Sequence, residues 1–327
     1  MTEQTPWQPS APINNLKKRA QLMSSIRQFF EARGVLEVET PVMSHYAVSD
    51  PFIDSIEVSY HPVMGAEEQR CYLQTSPEYA MKRLLAAGSG PIFQITKAFR
   101  NSEKGHRHNP EFSMLEWYRP GFDEVALMDE IADLLVATLG LNKADILTLT
   151  YEQAFEQTLA INPHDAPLEV LKAECARRYD LHMDEDDRGT WLNVLMSHSV
   201  EPALAEKGAV FITDYPASQA ALARIKTDAN GRQVAARFEL FLNGVELANG
   251  YYELTDSNEQ AARFEADHRQ RVELGLPTRP LDTRVVDALA SGLPDCAGVA
   301  LGIDRLVMHT LNAKDIGEVI SFNFARA

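Results

Sequence analysis

The chain has 327 residues and only three cysteines, Cys71, Cys175 and Cys296. Three scattered cysteines make neither a disulfide framework nor a C-x-x-C metal pair, which points to a reducing cytoplasm. No run of about 18 apolar residues occurs, so no membrane span is expected. The N-terminus, MTEQTPWQPSAPINN, lacks a basic stretch leading into an apolar one, and we read no signal peptide there. Positive charge is scarce. The 31 Lys and Arg face 47 Asp and Glu, a formal net charge of −16. Nucleic acid is bound mainly through Lys and Arg contacts to phosphate. The balance counts against such a partner, unless a local basic patch overrides it, and favours a basic protein. Internal repeats and low-complexity segments are also missing.

What is present is an apolar share of 45%, enough to core one large domain or two medium ones. Residues 1–15 carry Pro and Ser and read as an irregular arm. From Leu16 to Arg33 the apolar residues recur at helical spacing, and Gly34 ends the pattern. VLEVETPVM alternates like a strand, stopped or bent at Pro41. PEYAMKRLLAAG predicts a helix over Pro77–Ala87, and residues 123–139 predict another. PIFQITKAFR and EFSMLEWYR predict two strands, with Asn101 to Pro110 as a long hairpin loop. Residues 150–207 carry amphipathic helical patterns and the acidic run MDEDDRG, expected as an insertion on the core. AVFITDYP, RFELFLNGVELANGYYEL and GVALGIDRLVMHTL return to strand–turn–strand and strand–helix patterns, with a polar helix over 256–275. Strands and helices without regular βαβ alternation predict an α+β fold with a mostly antiparallel sheet.

Two kinds of chemistry recur. FRNSEKGHRHNPEFSMLEWY, Phe99 to Tyr118, opens with Arg100, Lys104, Arg107 and His108, suited to an anion. Arg305 starts an apolar helix after a glycine-bearing turn, another anion-favouring place. Ordinary surface salt bridges explain either arginine equally well. Glu239 and Glu246 flank Asn243-Gly244, a hairpin signal, so a tight turn can bring them together. Two close carboxylates want a cation, and magnesium on phosphates suits them; two solvent-facing glutamates are the plain alternative. Glu78, Glu116, Glu253 and Tyr118 sit among apolar neighbours. Singly they read as expelled to solvent; jointly they suit a ligand bearing two amines.

Three segments, FFEARGVLEVETPVMS, FRNSEKGHRHNPEFSMLEWY and GVALGIDRLVM, resemble motifs 1, 2 and 3 of the class II aminoacyl-tRNA synthetases. SPEYAMKRLL, RHNPEF and ELANGYYELTD are similar to the lysyl-tRNA synthetase catalytic domain in particular. The resemblance runs from about Leu16 to the C-terminus. It implies an antiparallel sheet flanked by helices, a homodimer through motif 1, and condensation of ATP with an amino acid to an aminoacyl-adenylate. It further implies roles. Arg100 bridges the α-phosphate and the substrate carboxylate, while Asn109 and the loop around His108 touch ATP. Phe112 stacks on adenine, with Arg305 over the other face. Asn101, Ser102, Leu247 and Gly302 fall within the ATP-binding segments. Glu239 and Glu246 hold Mg2+. Glu78 and Glu116 face the backbone-side amine, Asn249 the carboxylate, and Glu253 with Tyr118 the distal ammonium. Ser76, Pro77 and Ala300 line the amino acid pocket.

The chain departs from that pattern in four places. Motif 1 begins within the first forty residues, so an N-terminal anticodon-binding domain is not expected. Ala300 stands where lysyl enzymes have a glycine, and Ser76 where they commonly have an alanine. Motif 2 usually reads Arg-x-Glu, but here Ser102 takes the glutamate position and Glu103 comes one place late, facing the other way if the strand continues. With SPEY and LEWYRPG, the first two departures resemble a paralogous branch that acylates a protein instead of a tRNA. That resemblance implies (R)-β-lysine as the activated acid, the ε-amine of a lysine on elongation factor P as acceptor, and no tRNA partner. A stand-alone enzyme that still charges tRNA and a non-catalytic lysine-sensing paralogue are the alternatives.

Overall fold

The structure, a computed structural model, describes residues 7–183 and 185–327. The first six residues of the expected arm and Asp184 of the acidic run lie outside them. Helix α1 (Ile13–Glu31) starts three residues before its predicted start, directly after Pro12. Gly34, at φ 66°, follows it. The strand predicted over VLEVETPVM is two short ones, β1 (Leu36–Glu37) and β2 (Met43–Ser44), which join different sheets on either side of Pro41. Next come β3 (Glu57–Tyr60), β4 (Gln69–Leu73) and α2 (Glu78–Ala86). The long hairpin is present as β5 (Ile92–Phe99) and β6 (Glu111–Pro120), and α3 (Glu124–Leu139) begins at an Asp123 cap. Strand β7 (Leu147–Thr150) leads into α4 (Tyr151–Leu159), α5 (Leu168–Tyr179), α6 (Arg188–Leu195) and α7 (Glu201–Leu204). Then follow β8 (Ala209–Pro216), β9 (Ile225–Thr227), β10 (Gln233–Leu242) and β11 (Val245–Tyr252). The chain closes with α8 (Ser257–Glu273), α9 (Thr283–Gly292), β12 (Cys296–Gly302) and α10 (Ile303–Leu311).

The main sheet runs β1-β5-β6-β12-β11-β10-β8-β7, with β9 also paired to β10. Its middle is antiparallel as expected; β1 on β5 and β7 on β8 are parallel pairs at its two ends. The small sheet is β2-β4-β3. Helices α1, α3 and α10 cover one face of the main sheet, burying Phe30, Trp117, Phe238, Val299 and Leu306. Phe30 stacks on Phe93 at 4.6 Å and meets Trp117 edge-on at 5.2 Å. The other face is divided. Helices α2, α8 and α9 pack around Met81, Tyr118, Phe264 and Leu289. The helical segment predicted over 150–207, α4 to α7, packs with Tyr151, Trp191, Ile212 and Phe241. A cavity of about 1140 Å³ lies between these two groups, with residues of both in its wall.

Among the described residues no helix is long and apolar enough to cross a membrane.

Candidate active site

Strand alternation places the chemistry. Side chains two apart on a strand share a face. On β6, Leu115 and Trp117 enter the core under α1, so Glu116 and Tyr118 face the cavity. The same rule sends Gly298 and Ala300 of β12, Asn249 and Tyr251 of β11, and Arg237 and Glu239 of β10 to that face. Register then aligns them. One row across four strands reads Glu116, Ala300, Asn249, Glu239; the next reads Tyr118, Gly298, Tyr251, Arg237. Three inter-strand steps separate Glu116 from Glu239, about 14 Å. The Glu116 and Glu239 carboxyls thus occupy opposite ends of one floor.

At the Glu116 end, Ser76 Oγ donates to Glu116 Oε1 at 2.5 Å and accepts the Glu78 N–H at 3.0 Å. One hydroxyl both receives the first N–H of α2 and holds a carboxyl. Tyr118 donates its phenol to Glu116 Oε2 at 3.2 Å. The resemblance gives Tyr118 and Glu253 jointly to the distal ammonium. Both side chains stand beside Gly298, and the phenol's bond goes to Glu116, two residues back on the same strand face. Glu253 is wholly buried, and its Oε1 has no hydrogen-bond partner. Lys82 Nζ lies 2.7 Å from Glu253 Oε2 and 2.7 Å from Glu78 Oε1. Burial raises the Glu253 carboxyl, and the Lys82 ammonium opposes the rise.

Burial pushes the Glu116 carboxyl up to about 8 from its ordinary value of 4.5; the Glu78 charge adds to this, and the Ser76 and Tyr118 hydrogen bonds oppose it. The folded chain therefore holds a proton there that the unfolded chain releases above pH 4.5. Its stability contribution is full below that value and is lost as pH rises through about 8. The loss is at most about 1.4 kcal/mol per pH unit in that window. Glu116→Gln removes the titration, so its melting temperature relative to wild type is expected to climb from pH 5 to pH 8. A pH-independent difference would show Glu116 ionised throughout.

At the other end, Glu239 accepts from Tyr215 Oη at 2.6 Å and pairs with Arg237 at 2.5 Å. Arg237 Nε also donates to Asn249 Oδ1 at 3.2 Å, and Asn249 Nδ2 donates to Tyr251 Oη at 2.9 Å. One arginine sets both the carboxylate and the amide. The hairpin between β10 and β11 turns at Asn243 and Gly244, both at positive φ. A side chain at Gly244 would meet the Glu201 carbonyl at 2.7 Å. The turn is thereby pressed against α7, and Glu201 joins the cavity wall. Burial pushes Glu201 up to about 7, with Glu239 and then Glu246 adding to it. Among the described residues no three His, Cys, Asp or Glu stand together as a metal-binding group. Glu239 and Glu246 both line the cavity, and magnesium commonly takes one or two carboxylates and fills its shell with phosphate and water.

The residues of the expected ATP set have these partners within the protein. Arg305 reaches the Glu246 carbonyl at 2.7 Å, Glu246 Oε2 at 3.3 Å and His108 Nε2 at 2.9 Å. His108 accepts that bond as a neutral ring, since burial and the Arg305 charge lower its affinity for a proton. The guanidinium over the Phe112 ring is that of Arg100, 5.2 Å from the centroid. Leu247 is 4% exposed, with its side chain in the apolar core, so it offers a ligand only backbone. Asn109 donates to the Glu111 carbonyl at 2.6 Å and accepts from Phe324 N–H at 2.9 Å, engaging both ends of its amide. Asn101 donates to Asp54 Oδ2 at 2.9 Å. Gly302 caps α10, three residues ahead of Arg305.

Ser102 sits at φ 60° in a turn after β5 has ended. The alternation rule therefore does not extend to Glu103. Its carboxylate lies 3.7 Å from Arg100, on the same side, contrary to the expectation from a continued strand.

Lys82, Arg237, Tyr215, Tyr251 and Glu201 were not singled out from sequence. Two carried a local signal: Lys82 stands four residues after Glu78 on one helix, and Arg237 two before Glu239 on one strand. Glu201 lies on a helix distant in sequence and carried none.

A family model described as tRNA synthetases class II (D, K and N) matches residues 9–326. The chain is 52% identical over 330 aligned residues to a Hamiltonella defensa subsp. Acyrthosiphon pisum protein named elongation factor P–(R)-beta-lysine ligase, covering all of both chains. It is 50% identical, again over all of both chains, to proteins of that name from Salmonella paratyphi B and Salmonella schwarzengrund. The order of the three motifs, the family match and these full-length relatives agree: the chain belongs to the class II tRNA synthetases of the D, K and N group.

Proposed function

We propose that this chain activates (R)-β-lysine with ATP and ligates it to the ε-amine of a lysine on elongation factor P. One observation carries the choice of amino acid. Ala300 lies across the sheet from Glu116 on one side and from Asn249 on the other. Its methyl stands between the carboxyl suited to an amine and the amide suited to a carboxylate. An α-amine would crowd that methyl; an amine one carbon further on has room. Full-length relatives carrying the same activity in their names support the reading.

The reaction has two balanced steps. A carboxylate oxygen of the amino acid attacks the α-phosphorus of ATP, and pyrophosphate leaves. The neutral amine of the acceptor lysine then attacks the acyl carbon; the C–O bond to AMP breaks, AMP leaves, and the nitrogen gives up one proton as the amide forms. Positioning and charge stabilisation supply the catalysis. Arg100 offers a guanidinium to the carboxylate and the α-phosphate. Arg237 holds Asn249 and Glu239 in register. Glu239 and Glu246 would hold Mg2+, which neutralises phosphate charge when bound. Motif 1 leaves Leu36, Val42 and Met43 exposed, a surface suited to a second copy of this chain. This reading leaves tRNA without a role and places the work in the cytoplasm beside the translation machinery.

ATP–pyrophosphate exchange with (R)-β-lysine and with L-lysine, followed by transfer to elongation factor P or to tRNA, tests the proposal. Exchange favouring (R)-β-lysine with transfer to the protein is the expected result. Lysine-only exchange with tRNA charging would overturn it. Ala300→Gly is expected to shift the ratio of kcat/KM toward L-lysine by about tenfold, the scale of one methyl in a pocket. An unchanged ratio would remove Ala300 as the discriminator.

A further inference from the structure

Lys82 presents a puzzle to a site that binds cations. It is a lysine 1% exposed, directly behind a pocket for ammonium groups, and it is not part of the cavity wall. A buried ammonium is tolerated only when paired. Lys82 is paired twice, at 2.7 Å to Glu78 Oε1 and at 2.7 Å to Glu253 Oε2. Helix α2 makes the first contact through i,i+4 spacing. The second reaches across to the residue that follows β11. Each carboxylate is thereby anchored by one oxygen, and Glu253 keeps Oε1 unbonded. Space there is tightly set, because a side chain at Gly298 would lie 2.5 Å from that oxygen.

Charge counting gives the arrangement a purpose. Glu78, Glu116 and Glu253 carry three negative charges once an incoming ammonium displaces the proton that burial keeps on Glu116. Lys82 supplies one positive charge, leaving two. A diamino acid brings two ammonium groups. We propose that Lys82 is a positioning residue that locks Glu78 and Glu253 in place and sets the amine end of the pocket to accept two ammonium groups. The inference rests on the diamino acid reading above. Without the lysine, Glu253 and Glu78 would face each other with no cation between them, and the rise that burial imposes on Glu253 would go unopposed. The other titratable and charged groups facing this spot are Glu116 and Tyr118 on β6, Tyr251 on β11, Cys296 on β12, and Arg224, whose guanidinium bonds the Glu253 carbonyl. None of them replaces an ammonium between the two carboxylates.

The test is steady-state exchange with wild type, K82M, E253Q and K82M/E253Q. K82M is expected to raise the amino acid KM at least tenfold at pH 7 while leaving the ATP KM within twofold. Its deficit relative to wild type is expected to shrink from pH 6.5 to pH 8.5, as the buried Glu253 carboxyl, left without its ammonium, loses its proton. In the E253Q background, which contains no carboxylate at that position, K82M is expected to cost less than threefold, because a positioning residue loses its effect when its target is gone. The double variant leaves fewer unpaired buried charges and provides the answer if K82M alone does not fold. Parallel rises in both KM values, a pH-independent deficit, or additive effects in the double variant would each overturn the proposal. Wild type failing to activate any diamino acid would instead overturn the reading on which it rests.

Discussion

Arg100→Ala is expected to lower ATP–pyrophosphate exchange by about 10³-fold, the upper range for removing one preorganised donor from an active site. The guanidinium lines the cavity, and its buried Nε has no hydrogen-bond partner. Its protein contacts are weak ones: Glu103 at 3.7 Å and the Phe112 ring at 5.2 Å. A charged fork held this loosely inside a cavity is available to a ligand. Arg100→Lys is expected to recover only part of the loss, because an ammonium cannot bridge two acceptors in the plane of a guanidinium. A loss below tenfold in the alanine variant would remove Arg100 from the chemistry. Circular dichroism and melting temperature should stay near wild type, since no buried ion pair is broken.

Gly298→Ala is expected to raise the amino acid KM at least 100-fold. The added carbon would lie 2.3 Å from two atoms of the Tyr118 ring and 2.5 Å from Glu253 Oε1. Neither neighbour can yield. Tyr118 is 3% exposed, packed in the cluster of Met81, Ile92 and Phe264, and bonded to Glu116. Glu253 is tied to Lys82. Overpacking of this kind costs about 1–3 kcal/mol, which lowers the melting temperature by roughly 2–4 °C per kcal/mol in a chain of this size or somewhat less. Gly250→Ala provides the control. Its carbon would strike the Phe238 ring at 2.3 Å, on the core face of the sheet. It should lower stability similarly with little selective effect on the amino acid KM. Equal effects of the two substitutions on KM would show that Gly298 matters for packing alone.

Local pattern carried most of the elements. The long hairpin, α2, α3 and the Asn243-Gly244 turn follow from rules that act over a few residues. The failures are equally local in cause. Pro41 splits one expected strand between two sheets, because each half finds a different partner. Glu103 sits beside Arg100 because the chain leaves the strand at Phe99, which suspends the alternation used to place it.

The sequence by itself determined which residue types reach the cavity. Period-two alternation sends Glu116 and Tyr118 one way and Trp117 the other, whatever the rest of the chain does. It also pointed to the kind of ligand, since carboxylates among apolar neighbours need either a cation or a route to solvent. Tertiary structure alone decided how those groups are matched. Strand order and register, set by pairing between distant segments, put Ala300 between Glu116 and Asn249. The same long-range packing gave Arg305 to Glu246 and His108, Arg237 to Glu239 and Asn249, and Lys82 to Glu253. Buried charges must be neutralised by whatever lies within a few ångströms in space, and separation along the chain does not encode that distance.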